Sequence, residues 1–262
     1  YTFRCRRLER FVHGRVVFVG DSAHQVSPFG ARGGNGGVQD ADNLGWKLAA
    51  VLQGRAPESL IETYDVERVP AADENILHST RSTSFISPST EAARAYRDAV
   101  LTLAEQHEFA RAMVNSGRLS RPSRLLASPL NVPDDPAWEG GVPPGAPAVD
   151  APVLRDGRPD WLLRHIGADG GFTLLVFAEQ AEQQPGIATV LVSPRPAAAS
   201  PGVVVVQDPS GLARSRYAAL PGSAILFRPD QHCCARFRAA DQGRIAYAIR
   251  HALGLDEFAE AA

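Results

Sequence analysis

The sequence predicts an α/β protein of two domains, and three observations carry this prediction. A short apolar run at residues 15–20 leads through a glycine-rich stretch into an amphipathic helical pattern. A segment rich in proline and glycine, residues 129–152, then interrupts the chain and is typical of a linker. Downstream, short β-rich runs end in one helical pattern, which favours a small α/β sandwich over an all-β barrel. The predicted domains are therefore residues 1–128 and 153–262.

The first domain is predicted to begin with a strand and to continue mainly as helix. Arg15–Gly20 has the composition of a buried strand, and the residues from Asp21 to Gly37 form a predicted loop. A helix follows, whose expected apolar face repeats at three- and four-residue steps: Val38, Ala41, Leu44, Gly45, Leu48 and Leu52. Two more helices are expected, over Glu58–Ile86 with a kink at Pro70 and over Glu91–Asn115.

The second domain is predicted from β-branched and aromatic runs. Four segments are strand candidates: 171–177, 188–192, 203–206 and 224–227. Ile245–Leu253 has the pattern of a closing helix.

Charge and composition exclude several classes of function. Lys and Arg total 27 against 29 Asp and Glu, so the net charge of −2 offers no basic field for nucleic acid or anionic lipid. No run approaches the roughly 18 apolar residues that span a membrane. The three cysteines, two of them adjacent, do not form an ordinary disulfide framework, which favours a reducing compartment and a cytoplasmic protein. Because a strand-like segment begins at Tyr1, we expect a fragment of a longer protein.

The glycine-rich stretch is the most informative part of the sequence. Glycines ahead of a helix let a ligand approach the backbone, and the amides at the helix start offer donors and partial positive charge. Such a site suits an electron-rich or anionic ring edge. Asp21, at the end of the predicted strand, can accept hydrogen bonds from ligand hydroxyls. The alternative is a glycine-rich structural turn before an ordinary core helix.

The order of residues from Gly20 to Leu48 resembles the Gly-Asp motif of single-component flavin-dependent aromatic hydroxylases, the family of para-hydroxybenzoate hydroxylase and phenol hydroxylase. The matched pattern is Gly-Asp-x-Ala-His, then Pro-x-Gly-x-x-Gly-x-Asn-x-Gly, then Asp-Ala-x-Asn-Leu-x-Trp-Lys-Leu. It differs from the dinucleotide fingerprint Gly-x-Gly-x-x-Gly. The resemblance covers nearly all of this chain but only the C-terminal half of a family member.

This resemblance implies FAD as cofactor and NADH or NADPH as reductant. Asp21 would bind the ribityl chain, and the cofactor-binding residues of the glycine-rich stretch would be Gly33, Gly34 and Asn35. The amides of the last two would face the pyrimidine edge of the flavin. Pro28 would contribute a backbone carbonyl near the flavin hydroperoxide and is the implied catalytic position. The implied substrate is a phenol, an aryl acid or an aromatic polyketide, and no metal is implied.

The second domain resembles the C-terminal thioredoxin-like domain of the phenol hydroxylase branch, through Gly171–Phe177 and Phe227–His232. No Cys-x-x-Cys follows the first strand of this domain, so thiol redox activity is not expected. We expect Cys233 and Cys234 to have a packing role. The domain is then structural or used in subunit contact, as in a homodimer.

Several functional alternatives stay open. His24 is a candidate general base or a residue that braces the loop; Arg32 is a ligand contact or a solvated charge. Three functions of the whole protein stay open. The chain is the C-terminal part of an aromatic monooxygenase that works with an N-terminal companion segment, or it is a non-catalytic interaction or dimerisation module. The third alternative is a thiol oxidoreductase.

Overall fold

The computed structural model divides into two compact units. Unit 1 comprises Tyr1–Asp42 and Arg68–Ser123, and unit 2 comprises Asn43–Glu67 and Arg124–Ala262. The residues that the structure describes are 2–114, 121–134, 138–198, 200–239 and 241–256.

Unit 1 combines short strand pairs with helices. Strand β1 (Arg6–Arg7) pairs antiparallel with β4 (His24–Gln25), and β2 (Val12–His13) pairs with β3 (Val16–Val17). The helices are α1 (Gly33–Leu52), α2 (Thr63–Ile86), α3 (Glu91–Gln106) and α4 (Glu108–Val114), and the unit boundary falls within α1 and α2. Thr90 caps α3 by accepting a hydrogen bond from the amide of Ala93 at 3.2 Å.

The predicted opening strand is largely wrong. Only Val16–Val17 forms a strand, and the side chain of Val16 is 57% exposed. Among the described residues β3 pairs with β2 alone, so its side chains lack the two-sided cover of a buried strand. The predicted third helix is broken at His107, whose backbone is extended, into α3 and α4; Asn115 lies outside the described residues.

The predicted apolar face of α1 is also wrong. Val38 and Leu52 are 70% and 76% exposed, and Leu48 is exposed as well. The buried side of the helix carries mostly polar and charged residues together with one indole and one methyl: Asp40, Asn43, Trp46, Lys47 and Ala50. The helix also begins at Gly33, so the last glycines of the expected loop form its first turns.

Unit 2 is built on a seven-stranded mixed sheet, and the mixed α/β class is confirmed. Its strands are β5 (Pro152–Arg155), β6 (Arg158–Trp161), β7 (Thr173–Phe177), β8 (Ala188–Ser193), β9 (Val203–Gln207), β10 (Ser223–Phe227) and β11 (Cys233–Phe237). The strand order is β11-β10-β7-β8-β9-β5-β6, with β7, β8 and β9 parallel and the other pairs antiparallel. Helices α5 (Leu212–Arg216) and α6 (Gln242–Ala252) complete the unit.

Strands β7, β8, β10 and β11 are buried on both faces of the sheet, toward which successive side chains of a strand point in turn. In β7, Leu174 and Val176 pack in a cluster with Trp46 of α1, whereas Leu175 and Phe177 pack in the opposite cluster. The thiols of strand β11 are fully buried in these two clusters, and burial raises the pKa of Cys234 to about 12.

Two further segments of unit 2 differ from the sequence expectation. The β5–β6 hairpin was not predicted, although its turn is the Asp156-Gly157 pair, both residues with positive φ, which is a hairpin signal. The described part of the expected linker lies against β11: the amide of Gly145 donates to the carbonyl of Cys233 at 2.7 Å, and Leu130 is fully buried. The domain boundaries remain a prediction.

In the described part of the chain, none of the helices has the length and apolar character needed to cross a membrane.

Candidate functional site

A cleft with a volume of about 540 Å³ opens at the start of helix α1 in unit 1. All five residues that the resemblance singles out line this cleft: Asp21, Pro28, Gly33, Gly34 and Asn35. They come from a turn, a loop and a helix start. The cleft is therefore the place where the structure brings the predicted site residues together; their individual roles remain predictions.

The floor of the cleft is the first turn of α1. The amide of Gly36 donates to the carbonyl of Arg32 at 2.8 Å, so the amides of Gly33 and Gly34 precede the first bond of the helical ladder. A Cβ built on Gly34 would meet no atom within 4 Å. The space beside Gly34 is therefore open at the positive end of the helix dipole, where Gly34 lines the cleft. The Asn35 side chain donates instead to the carbonyl of Ala31 at 2.7 Å and closes the loop.

Asp21 lies on a 3-10 turn, Gly20–Ser22, at one side of the cleft. The Ser22 hydroxyl donates to the carbonyl of Val19 at 2.8 Å, which fixes the turn, and the Asp21 side chain is exposed. Gly20 has φ of +58°, and a Cβ on it would lie 3.5 Å from the Cα of Gly37. Two glycines therefore permit the turn to contact helix α1 backbone to backbone.

A buried carboxylate joins this turn to the helix. Asp40 accepts hydrogen bonds from the amide of Gly20 at 3.0 Å, from His24 Nε2 at 2.6 Å and from Arg68 Nε at 2.6 Å. The carboxylate is fully buried. Burial raises the pKa of Asp40, but the hydrogen bond from His24 and the charge of Arg68 outweigh it and hold the pKa below its ordinary value. Asp40 thus stays ionised and fixes the backbone that carries Asp21.

His24 belongs to this bracing and not to the cleft. Its side chain is 97% buried, it is not among the cleft-lining residues, and its ring lies 5.8 Å from that of Phe11. The loop-bracing alternative for His24 is the one that this geometry supports. Arg32 does line the cleft, but it is buried and donates to the side chain of Asn75 at 3.3 Å, so it is not a solvated charge.

The other side of the cleft is the loop that contains Pro28. Gly30 and Ala31 have φ of +94° and +50°, and the amide of Ala31 donates to the carbonyl of Pro28 at 3.2 Å. The loop is therefore a tight turn whose conformation is set by positive φ values. The Pro28 carbonyl, which the resemblance places near the reacting atoms, accepts one hydrogen bond from within the loop and keeps a second lone pair.

A second buried network lies in unit 2 and uses the other half of α1. Glu67 accepts hydrogen bonds from Lys47 Nζ at 2.6 Å and from Arg228 Nη1 at 2.5 Å, while Arg228 Nη2 also donates to Asp230 at 2.5 Å. Asn43 bridges the two carboxylates, and the Ser128 hydroxyl donates to Glu67. The charges of Lys47, Arg228, Glu67 and Asp230 sum to zero.

Mutual pairing maintains the ionised forms in this cluster. Burial raises the pKa of Glu67, but the positive charges of Arg228 and Lys47 outweigh it and bring the pKa well below its ordinary value. Burial also lowers the pKa of Lys47 to about 8, with the charge of Glu67 opposing that change. In the sequence, Arg228 stands out only within the segment Phe227–His232, and nothing in that segment connects it with α1.

The residues that sequence analysis missed share one property: their partners are distant in sequence. Asp40 and Arg68 are 28 positions apart, and Glu67 and Arg228 are 161 apart. One signal was available, because Asp40, Asn43 and Lys47 recur at three- and four-residue steps and so form a polar stripe on α1.

Comparison with known proteins places this cleft in a matched segment. Residues 1–79 match the family model of the FAD binding domain. Over 60 residues, which is 23% of this chain and 10% of the relative, the chain is 63% identical to a putative polyketide hydroxylase of Streptomyces coelicolor. Over 96% of the chain, it is 29% identical to a 3-(3-hydroxy-phenyl)propionate/3-hydroxycinnamic acid hydroxylase of Mycobacterium sp. (strain JLS), covering 47% of that protein.

Solved structures show the same fold. Aklavinone-11 hydroxylase, in a ternary complex with FAD and aklavinone, matches 97% of this chain and 46% of its own chain, with a TM-score of 0.69 and 25% identity. The chain therefore spans about half the length of the proteins that it matches over most of its residues. The cofactor expected from the sequence, FAD, is that of the matched domain type.

The residues of the cleft suit the chemistry of FAD. A ribityl chain presents hydroxyl donors, and Asp21 offers an exposed carboxylate acceptor at the cleft. The pyrimidine edge of a flavin presents acceptors, and the start of α1 offers amide donors beside an open Gly34. Donors and acceptors thus complement the group on both sides of the cleft.

Proposed function

We propose that this chain is the C-terminal half of a single-component FAD-dependent monooxygenase, which hydroxylates a phenol, an aryl acid or an aromatic polyketide using NADH or NADPH and O2. The observation that carries the proposal is the cleft, where the five expected residues meet at the start of α1. The proposal includes a thioredoxin-like second domain without a dithiol site. The hydroxylase names of the relatives support the substrate class.

In this function the chain positions the cofactor. Asp21 would hold ribityl hydroxyls, and the amides of Gly34 and Asn35 would hold the pyrimidine edge, where fixed donors favour the negative charge of the reduced ring. Pro28 would border the reacting face. Bound FAD would supply electron transfer from the nicotinamide and activation of O2. The protein contributes orientation and exclusion of water.

The first experiment is the visible absorption spectrum of the purified natural full-length protein, with flavin released by denaturation as an internal check. The expected result is bound FAD, followed by NAD(P)H oxidation stimulated by one of three probes: a phenol, a hydroxybenzoate or a hydroxylated aromatic polyketide. A folded protein that neither contains FAD nor binds added FAD would overturn the proposal and favour the non-catalytic interaction module.

Asp21→Ala in that protein tests the site. Losing one or two hydrogen bonds to the cofactor should weaken FAD binding by about 1 to 3 kcal/mol, or about 5- to 150-fold in Kd. Glu105→Ala is the matched control, because it removes an exposed carboxylate of the same unit that does not line the cleft. Unchanged FAD affinity in Asp21→Ala, measured by fluorescence titration, would contradict the ribityl contact.

A further inference from the structure

We infer that Ser79 of helix α2 is a positioning residue, whose hydroxyl holds the loop around Pro28 and thereby sets the direction of the Pro28 carbonyl beside the proposed cofactor. The inference rests on the proposed function. It concerns a residue to which neither the glycine-rich motif nor any sequence pattern drew attention.

The hydroxyl of Ser79 contacts the backbone on both sides of Pro28. Its Oγ lies 3.0 Å from the carbonyl oxygen of Ser27 and 3.2 Å from that of Phe29. Ser79 is fully buried. A single proton donor thus spans the two peptide carbonyls that flank Pro28, and both carbonyls turn toward helix α2.

The hydroxyls of Ser27 and Thr83 determine which acceptors are available to the Ser79 proton. The Thr83 hydroxyl donates to the helical carbonyl of Ser79 at 2.8 Å, so the oxygen of Thr83 is left to accept. Ser27 Oγ lies 2.7 Å from both Thr83 Oγ1 and Ser79 Oγ. Because the Thr83 proton is committed to a carbonyl, Ser27 donates its single proton to Thr83 Oγ1, and the Ser79 hydroxyl is left to donate to Ser27 Oγ or to the two loop carbonyls. In either arrangement the Ser79 proton goes to an atom of the loop around Pro28.

The Ser79 contacts lie next to the residues of the loop that have positive φ. Gly30 and Ala31 have positive φ, and the amide of Ala31 donates to the carbonyl of Pro28 across the turn. Holding the carbonyls of Ser27 and Phe29 restricts rotation of the peptide groups that set the direction of the Pro28 carbonyl. Without the Ser79 hydroxyl, the loop loses this hydrogen bond to helix α2, and the peptide groups around Pro28 are free to rotate.

The test is Ser79→Ala in the natural full-length protein, with Thr80→Ala as control because Thr80 is the exposed neighbour on the same helix. Amide hydrogen exchange in the FAD-free protein should be about 5- to 10-fold faster at Ala31 in Ser79→Ala, the size expected for one lost buried hydrogen bond, and unchanged in Thr80→Ala. In the FAD-bound protein, the visible circular dichroism of the flavin should change, while the Kd for FAD stays constant because Asp21 and the helix amides are intact.

Unchanged exchange at Ala31, or an unchanged flavin circular dichroism spectrum, would overturn the positioning role. If Ser79→Ala does not fold, Ser79→Cys keeps the size of the side chain and replaces the hydroxyl by a weak donor, with the same expectations. A wild-type protein that binds no FAD would overturn the proposed function instead, and exchange at Ala31 would still decide whether Ser79 holds the loop.

Discussion

Consecutive residues of helix α2 enter two buried networks that differ in kind. Arg68 joins Asp40 and His24 in unit 1, where the Asp40 carboxylate also accepts a hydrogen bond from the backbone amide of Gly20. Glu67 joins Lys47 and other side chains in unit 2, where every charge is met by another side chain. The first network sets the conformation of a turn at the cleft, whereas the second ties elements of the sheet unit to one another.

The two networks show how the burial of charged side chains relates to function in this protein. A balanced cluster of side chains gives structural specificity, since removing one member leaves the others uncompensated. A carboxylate that also accepts a hydrogen bond from a backbone amide fixes the position of the backbone around that amide. In unit 1 this amide belongs to Gly20, and the residue after Gly20 is Asp21. We therefore expect damage to the second network to affect folding alone, and damage to the first to affect folding and cofactor binding.

Glu67→Ala should have the largest effect. It leaves Lys47 and Arg228 buried with only one carboxylate between them, and the free energy of unfolding should fall by about 3 to 5 kcal/mol. Chemical denaturation measures this loss, with Glu62→Ala as a control because Glu62 is exposed on the preceding turn. The molecules that remain folded should bind FAD with unchanged Kd. A loss below about 1 kcal/mol would place the cluster among weakly coupled ion pairs.

Asp40→Asn should have a smaller effect on stability and an additional effect on binding. The amide group has the same shape but only one acceptor oxygen, so it cannot serve Gly20, His24 and Arg68 together. We expect a loss of about 2 to 3 kcal/mol in unfolding free energy and weaker FAD binding. Fluorescence titration at a temperature where the variant is folded checks the second part. If the folded Asp40→Asn variant bound FAD with wild-type affinity, the first network would affect folding alone, like the second.

Gly34→Ala should give the smallest change in stability and test the cleft directly. A methyl group meets no atom there, so the variant should be more stable by about 0.4 to 1 kcal/mol, while FAD binding weakens because the methyl stands beside the amide. Gly45→Ala is the matched control: it lies on the same helix, outside the cleft lining, and its Cβ also meets nothing. Equal FAD affinity in the two variants would mean that the amide of Gly34 does not face the cofactor.

The sequence predicted the elements of unit 2 better than those of unit 1. The runs at 171–177, 188–192, 203–206 and 224–227 all correspond to strands, because a strand buried on both faces is apolar throughout. The buried side of α1 was assigned wrongly, since hydrophobic periodicity assumes an apolar interior and Asp40 and Lys47 are fully buried there.

The candidate site was predicted in part. The glycine-rich motif led to the residues that line the cleft, because those residues are contiguous in sequence. Ser79 and Arg68, which hold the cleft together, lie on a helix about 50 and 30 residues further on, where single hydroxyl and guanidinium groups give no local pattern. Only folding brings Ser79 to the loop around Pro28, and Arg68 to Asp40 beside the Gly20–Ser22 turn.

The adjacency of Glu67 and Arg68 also constrains how this protein can change over evolution. Inserting or deleting one residue between Glu67 and Ser79 turns the helix beyond that point by about 100° and moves it by about 1.5 Å, so the side chains on the two sides of the change could not all keep their partners. Homologues should therefore vary in length at 53–57 and 87–90, on either side of the helical segment, and keep the spacing between Ser79 and the Glu-Arg pair.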